Sequence, residues 1–225
     1  MYAQRPSAIH PLVVAWRSVI PPGGQAVRVL PDGCLDLIWR DGTVVVAGPD
    51  TVAQLHSAPG GTYFAALRFA AGTGPPLLRV PADALTDREV PLEAFWPAAE
   101  VRRVAGADDP AAALEAAVRR RWRDPDPELV ALAAGARAGR PVPALAQTLG
   151  LSPRQLLRRC QAAFGYGPKA LGRILRLQRA LALARRGRAF AEVAAVAGYS
   201  DQAHLARDVR ALAGVPLGEL VGPRP

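Results

Sequence analysis

Two stretches in the last third of the chain repeat one pattern, and the repeat leaves few folds open. Leu145-Ala146-Gln147-Thr148-Leu149-Gly150-Leu151-Ser152 and Val193-Ala194-Ala195-Val196-Ala197-Gly198-Tyr199-Ser200 each run aliphatic, Ala, three residues, Gly, apolar, Ser, at an offset of 48 positions. The match continues with Leu156 and Leu205, Arg158 and Arg207, Gly165 and Gly214, now offset by 49, so one extra residue lies early in the second helix of the second copy. Ala146 and Ala194 let two helices cross closely. Gly150 and Gly198 supply the positive φ that ends a first helix. Ser152 and Ser200 are expected to cap the next one. That next helix buries Leu156, Cys160 and Phe164 in one copy and Leu205, Val209 and Leu212 in the other, at helical spacing. Helix, glycine turn, helix is the plan of a helix-turn-helix unit, whose second helix fits a DNA major groove.

Between the copies, residues 168–186 read as one helix. Pro168 opens it, and Leu171, Ile174, Leu175, Gln178 and Leu181 form its inner stripe. At 1.5 Å per residue such a helix spans roughly 28 Å, which can hold two reading helices about one DNA turn apart, on the order of 34 Å.

Charge supports the same reading. Residues 1–134 hold 13 basic and 15 acidic side chains, whereas residues 135–225 hold 15 and 4, so the net +9 of the chain sits at one end. A polyanion-binding domain leaves that footprint. A single lysine, Lys169, among so many arginines reflects a biased composition, but that bias does not explain why acids are scarce at one end only.

The first part of the chain reads differently. Ala26–Leu30, Cys34–Trp39, Val44–Ala47 and Tyr63–Phe69 are short apolar runs parted by turn signals, and Asp41-Gly42 is a hairpin signal. Two helices follow, each opened by an Asp-Pro pair, at 109–122 and 126–138, and Arg140-Pro141-Val142-Pro143 breaks the chain. The fold expected is α+β. A small β-sheet or partial barrel with trailing helices occupies 1–138. An all-α domain of two helix-turn-helix units joined by a long helix occupies 139–225.

Residues 141–221 resemble the DNA-binding domain of the AraC/XylS bacterial regulators. The likeness rests on Leu-Ser-Pro-Arg-Gln-Leu-Leu-Arg-Arg (151–159), Arg-Ile-Leu-Arg-Leu-Gln-Arg-Ala-Leu (173–181) and Gly-Tyr-Ser-Asp-Gln-Ala-His-Leu-Ala-Arg (198–207). Leu-Pro-Asp-Gly-Cys-Leu-Asp-Leu-Ile-Trp (30–39), Ala-Gly-Pro-Asp-Thr (47–51) and Leu-Thr-Asp-Arg-Glu-Val-Pro-Leu (85–92) resemble the companion domain of some such regulators. The chain departs from the family at Cys160 and Val209, where Phe is usual, and at Leu217, where Pro is usual and Pro216 stands one residue early.

The resemblance implies sequence-specific binding of double-stranded DNA. Arg154, Gln155 and Arg158 in the first unit, and Gln202, Ala203, His204 and Arg207 in the second, would face base edges. Arginine pairs with guanine and glutamine with adenine. Ser152, Ser200, Arg173 and Arg176 would hold phosphates or cap helices. A solvated helix face is the competing reading for the arginines and Gln202. His204 could instead pack against its own domain.

RNA polymerase, a small-molecule effector and a second copy of the chain are further partners the resemblance allows. Cys34 and Asp36 share a strand face and are the candidate ligand pocket, with a structural buried cysteine as the alternative. No metal, cofactor or catalytic group is expected, because no nucleotide-binding glycine loop, nucleophile elbow or zinc-binding histidine pair occurs. No apolar stretch reaches membrane-spanning length, the first residues make a poor secretory signal, and two distant cysteines suit a reducing cytoplasm. The rival function is a ligand-binding or catalytic β domain with a basic helical appendage. An architectural DNA binder without sequence preference is a third.

Overall fold

A computed structural model describes residues 1–222. Its N-terminal part holds eight strands: β1 (Tyr2–Pro6), β2 (Val13–Val19), β3 (Gln25–Val29), β4 (Leu35–Arg40), β5 (Thr43–Ala47), β6 (Gln54–Ala58), β7 (Tyr63–Phe69) and β8 (Glu89–Pro91). The short helix α1 (Pro75–Leu78) lies between the last two strands. Six strands form one sheet in the order β1-β2-β7-β4-β5-β8, and β3 pairs separately with β6. Every pairing is antiparallel.

The Asp41-Gly42 signal gives the β4–β5 hairpin. Both residues have positive φ, 48° and 74°, as a turn matching the right-handed twist of the flanking strands requires. On β4, Leu35 and Leu37 are buried in the core with Val13, Val46, Phe69 and Leu92. Helices α2 (Ala98–Ala105) and α3 (Pro110–Arg121) add Val101, Val104, Leu114 and Val118 to that core. Trp39 is half-buried, and its indole N–H donates to the carbonyl of Ala105 at 2.9 Å, tying the sheet to α2.

Four strands lie outside the runs expected from sequence. β1 is an edge strand with every residue exposed, so it shows no apolar alternation. β6 is mostly polar and exposed, and β8 ends in proline. β2 shows in the sequence only as a brief apolar run.

A carboxylate anchors the segment that follows β1. Glu115 of α3 accepts from Arg5 at 2.7 Å, from the Ser7 hydroxyl at 2.5 Å and from the Ala8 backbone N–H at 2.9 Å. These donors hold its carboxyl down at about 2, the Arg5 hydrogen bond contributing most. A carboxyl depressed in the folded state stabilises fully above the unfolded value, roughly 4.3, and that stabilisation is lost as pH falls toward 2. Between pH 5 and pH 2.5 the melting temperature of the wild type should therefore fall further than that of Glu115→Gln. The variant should already melt lower at pH 7. Parallel curves would show that the carboxylate contributes nothing.

The C-terminal part is helical: α4 (Pro127–Arg137), α5 (Val142–Thr148), α6 (Pro153–Phe164), α7 (Pro168–Arg185), α8 (Phe190–Ala197), α9 (Gln202–Ala213) and α10 (Leu217–Val221). α7 is the spine, packed against α4, α6, α8, α9 and α10. The apolar residues of all seven helices join in one core. Cys160 and Val209 are fully buried in it, so small residues still close the packing where the family uses Phe. α4 lies ahead of residue 139, yet its Leu132 and Ala136 belong to this helical core. Leu177 and Ala180 are also buried on α7, while Gln178 is only half-buried and donates to the carbonyl of Pro31 at 2.7 Å.

The two parts are in direct contact. The Thr86 hydroxyl donates to the carbonyl of Gly165 at 3.0 Å. Arg28 donates to the carbonyl of Ala213 at 2.9 Å, and the Ala53 N–H to that of Leu212 at 2.7 Å. Phe164 lies against Gly72, where an added Cβ would come within 2.6 Å of its ring. Among the described residues, no helix is long and apolar enough to cross a membrane.

Candidate nucleic-acid interface

α5 and α6 form the first helix-turn-helix, and α8 and α9 form the second. Gly150 (φ 61°) and Gly198 (φ 89°) turn the chain between the helices of each pair. The apolar residue after each glycine differs in role: Leu151 is half-buried, whereas Tyr199 is buried.

The caps differ from the sequence expectation in one respect. Ser152 caps α6, accepting from the Gln155 N–H, while the Gln155 side-chain oxygen accepts from the Ser152 N–H, so a full capping box forms. Ser200 does not cap α9. Asp201 does, accepting from the His204 N–H at 2.6 Å. That bond, with one from Ser200, holds the Asp201 carboxyl below its usual range. Asp201 is thus the extra residue that moves the offset from 48 to 49, and a carboxylate serves a helix N-terminus at least as well as a hydroxyl. Ser200 instead bonds Asp201 and the His204 ring at the surface. Ser152→Ala should cost about 1 kcal/mol in urea unfolding, in the usual range for a lost cap. Ser200→Ala should stay within about 0.5 kcal/mol, as exposed substitutions do. Equal losses would contradict the cap shift.

Counting from the caps, Arg154 matches Ala203, Gln155 matches His204, and Arg158 matches Arg207. Arg154, Gln155, Arg158, Gln202, Ala203 and Arg207 are exposed, and no hydrogen bond or ion pair engages the side chains of Arg154, Arg158, Gln202 or Arg207 among the described residues. Gln155 is partly committed, since its side-chain oxygen serves the capping box. His204 is half-buried, with its ring edge-on to Tyr199 at 5.1 Å and its Nδ1 3.1 Å from the Ser200 hydroxyl.

Arg173 and Arg176, expected on phosphates, are engaged within the fold. Both guanidinium groups bond Asp208 of α9, Arg173 through Nε and Arg176 at 3.2 Å. Asp208 is 7% exposed, and a buried carboxylate needs such partners. Neither the spacing of α7 nor that of α9 shows by itself that these three side chains meet. Arg159 behaves similarly, pairing with Asp126 at 2.7 Å and with Glu128, and so ties α6 to the start of α4.

In the β domain, Asp36 is engaged by other side chains and does not line the small cavity that Cys34 borders. Asp36 accepts from the Trp16 indole at 2.7 Å and from Arg68 at 3.1 Å. Burial raises its carboxyl, against the pull of Arg68 and Trp16. Cys34 borders a cavity of about 10 Å³ beside Gly72 and Phe164, about the space of a single water. Burial and the neighbouring Asp32 and Asp36 push its thiol well up, so the unreactive protonated form dominates. A larger cleft, about 390 Å³, lies elsewhere. Its walls include Arg5, Ala15, Arg17 and Tyr63 from the sheet and Ala112 and Glu115 from α3. Nothing in the spacing of β1, β2 and α3 brings these residues together before the fold is known. Among the described residues, no group of three or more His, Cys, Asp or Glu could hold a metal ion.

Residues 145–221 match the family described as a helix-turn-helix domain, and residues 10–91 match a domain of unknown function, DUF6597. No curated protein matches the chain significantly. Among solved structures, the chain is similar to a probable AraC family transcriptional regulator from Rhodopseudomonas palustris, with 27% identity over 43% of this chain and 95% of that one, at a TM-score of 0.37. It is also similar to an apo ToxT variant from Vibrio cholerae, with 11% identity over 96% of this chain and 98% of that one, at a TM-score of 0.51. ToxT from Vibrio cholerae bound to (E)-4-(8-methylnaphthalen-1-yl)but-3-enoic acid matches at 8% identity over 98% of each chain, with a TM-score of 0.52. The two ToxT likenesses span both domains and show a shared α+β architecture, a β domain followed by a helical one.

Proposed function

We propose that the chain is an AraC-type regulator of transcription that binds double-stranded DNA through residues 145–221, the stretch that matches a helix-turn-helix family, and that its α6 and α9 read two successive major-groove segments of one duplex. The observation that supports this most is the matched pair of capped helix tips. Each presents exposed polar side chains, with Arg158 and Arg207 at corresponding positions, in the part of the chain where acids are scarce.

Arg154, Gln155 and Arg158 would read one segment, and Gln202, Ala203, His204 and Arg207 the other. Ser152 and Ser200, beside the helix N-termini, would receive phosphates. Arg173 and Arg176 are already paired with Asp208 and serve phosphates less than the free arginines do. The DNA-binding unit starts at α4 rather than after residue 138, since α4 shares its core.

The β domain would sense an effector. The 390 Å³ cleft between the sheet and α3 has room for one, with Arg17 and Tyr63 at its wall. One ToxT structure holds an aromatic carboxylic acid, a ligand of that protein. RNA polymerase and a second copy of the chain complete the proposed partners, in the cytoplasm. The chain would act by binding, without catalysis of its own.

Selection from random duplexes tests the reading. It should enrich two motifs about one helical turn apart, and affinity for them should fall steeply with salt. Arg154→Ala should then relax preference at one base pair while Gln202→Ala relaxes it at another. Enrichment of no sequence would overturn the proposal, and uniform weakening on every sequence would favour an architectural binder.

A further inference from the structure

We propose that Asp208 is a positioning residue for the second reading helix: it clamps α9 to α7 through Arg173 and Arg176 and withholds both arginines from the DNA backbone. The inference rests on the DNA-reading function and adds a residue that the helix tips do not include.

Asp208 lies on α9 one residue after Arg207, on the inner face, and is 7% exposed. Its two oxygens take separate donors: Arg173 Nε reaches one, and Arg176 reaches the other at 3.2 Å. The two arginines lie three residues apart on one face of α7, so the carboxylate bridges nearly a helical turn. The Arg176 guanidinium also sits over the Tyr199 ring at 4.4 Å. Tyr199 is buried in the turn before α9 and meets the ring of His204 in its first helical turn. A continuous set of contacts therefore runs from the spine helix through Asp208 and Tyr199 to the tip proposed to read bases.

Geometry at a base edge tolerates little error, because a bidentate pair needs both hydrogen bonds aligned. The first unit has no counterpart to this clamp. Position 159, which corresponds to Asp208, is an arginine that pairs with α4 instead. The two reading helices are thus fixed to the domain by different devices, and each can be loosened without the other.

The clamp also sets a charge balance. Two arginines on α7 share one buried carboxylate. Removing the carboxylate leaves both cations without a counter-ion, beside a helix proposed to sit on DNA.

Asp208→Asn and the double variant Arg173→Gln/Arg176→Gln both break the clamp but change the charge in opposite directions. With the two motifs defined by selection, binding is measured on duplexes altered in one motif at a time. Both variants should lose discrimination in the α9 motif by roughly 5- to 100-fold, the range of one bidentate pair, and change by less than about 2-fold in the α6 motif. The slope of log affinity against log salt should become steeper by up to about 2 in Asp208→Asn, as two freed cations would make it, and stay level or become shallower in the double variant. Melting curves report whether each variant folds. If Asp208→Asn does not, Arg173→Gln, at a half-exposed side chain, supplies the same motif-selective readout.

Unchanged discrimination in the α9 motif, or equal loss in both motifs, would overturn the clamp while leaving the wild-type reading intact. A wild type that enriches no sequence would overturn both.

Discussion

Phe164→Ala should destabilise the protein by about 3–5 kcal/mol, near the top of the range for a single core truncation. Phe164 is 1% exposed and ends α6. Its ring belongs to the helical core, yet one edge lies against Gly72 of the β domain and borders the small cavity beside Cys34. Truncation would enlarge that cavity at the domain boundary, where neighbours from two domains cannot collapse together easily. Gly72 cannot fill the space with a side chain of its own, since its φ of 84° belongs to the left-handed region. A second consequence follows from the location. Urea unfolding should be one transition in the wild type and split into two in the variant, because the bond from Thr86 to Gly165 would remain as a weak tether at this end. A loss below about 1 kcal/mol would mean that the boundary repacks freely.

The largest functional effect is expected from removing three arginines at once. Arg154→Ala, Arg158→Ala and Arg207→Ala together should weaken binding to the selected duplex by roughly 100-fold or more, given about 1–3 kcal/mol for each good base contact. All three side chains are exposed and none makes a hydrogen bond or ion pair among the described residues, so the melting temperature should hardly move. That contrast separates a reading role from a structural one. Affinity for random DNA should fall much less, because the remaining arginines of the helical part still meet phosphates. Specific affinity within a few-fold of wild type would place the interface elsewhere.

The helical domain was largely legible from the repeat. A glycine with positive φ, a capping residue and a buried leucine recur at fixed spacing, and each has a local physical cause. The cap of α9 was misplaced by one residue for an equally local reason. Ser200 and Asp201 can both cap, and only the offset of 49 downstream distinguishes them. The roles of Arg173 and Arg176 were hidden because their partner, Asp208, lies on another helix. Helical spacing shows which residues share a face but not what faces them.

The β domain was half legible. The runs of β4 and β7 show in the sequence because they are apolar and largely buried, but β1 has every residue in water and β6 most of its residues, so neither leaves a pattern. Alternation puts Cys34 and Asp36 on one face, yet Cys34 lies just ahead of β4, and the partners of Asp36, Trp16 of β2 and Arg68 of β7, are not visible from spacing.

The grip of the β domain on the helical part uses main-chain oxygens at the far ends of both reading helices: Gly165 beyond α6, and Leu212 and Ala213 at the end of α9. Any residue supplies such an oxygen at the end of α9, whereas Gly165 has a φ of 85° and no room for a Cβ beside Thr86 and Pro49. On the proposed reading, substitutions at the opposite ends of α6 and α9 can therefore change base preference one position at a time while these links to the β domain stay in place.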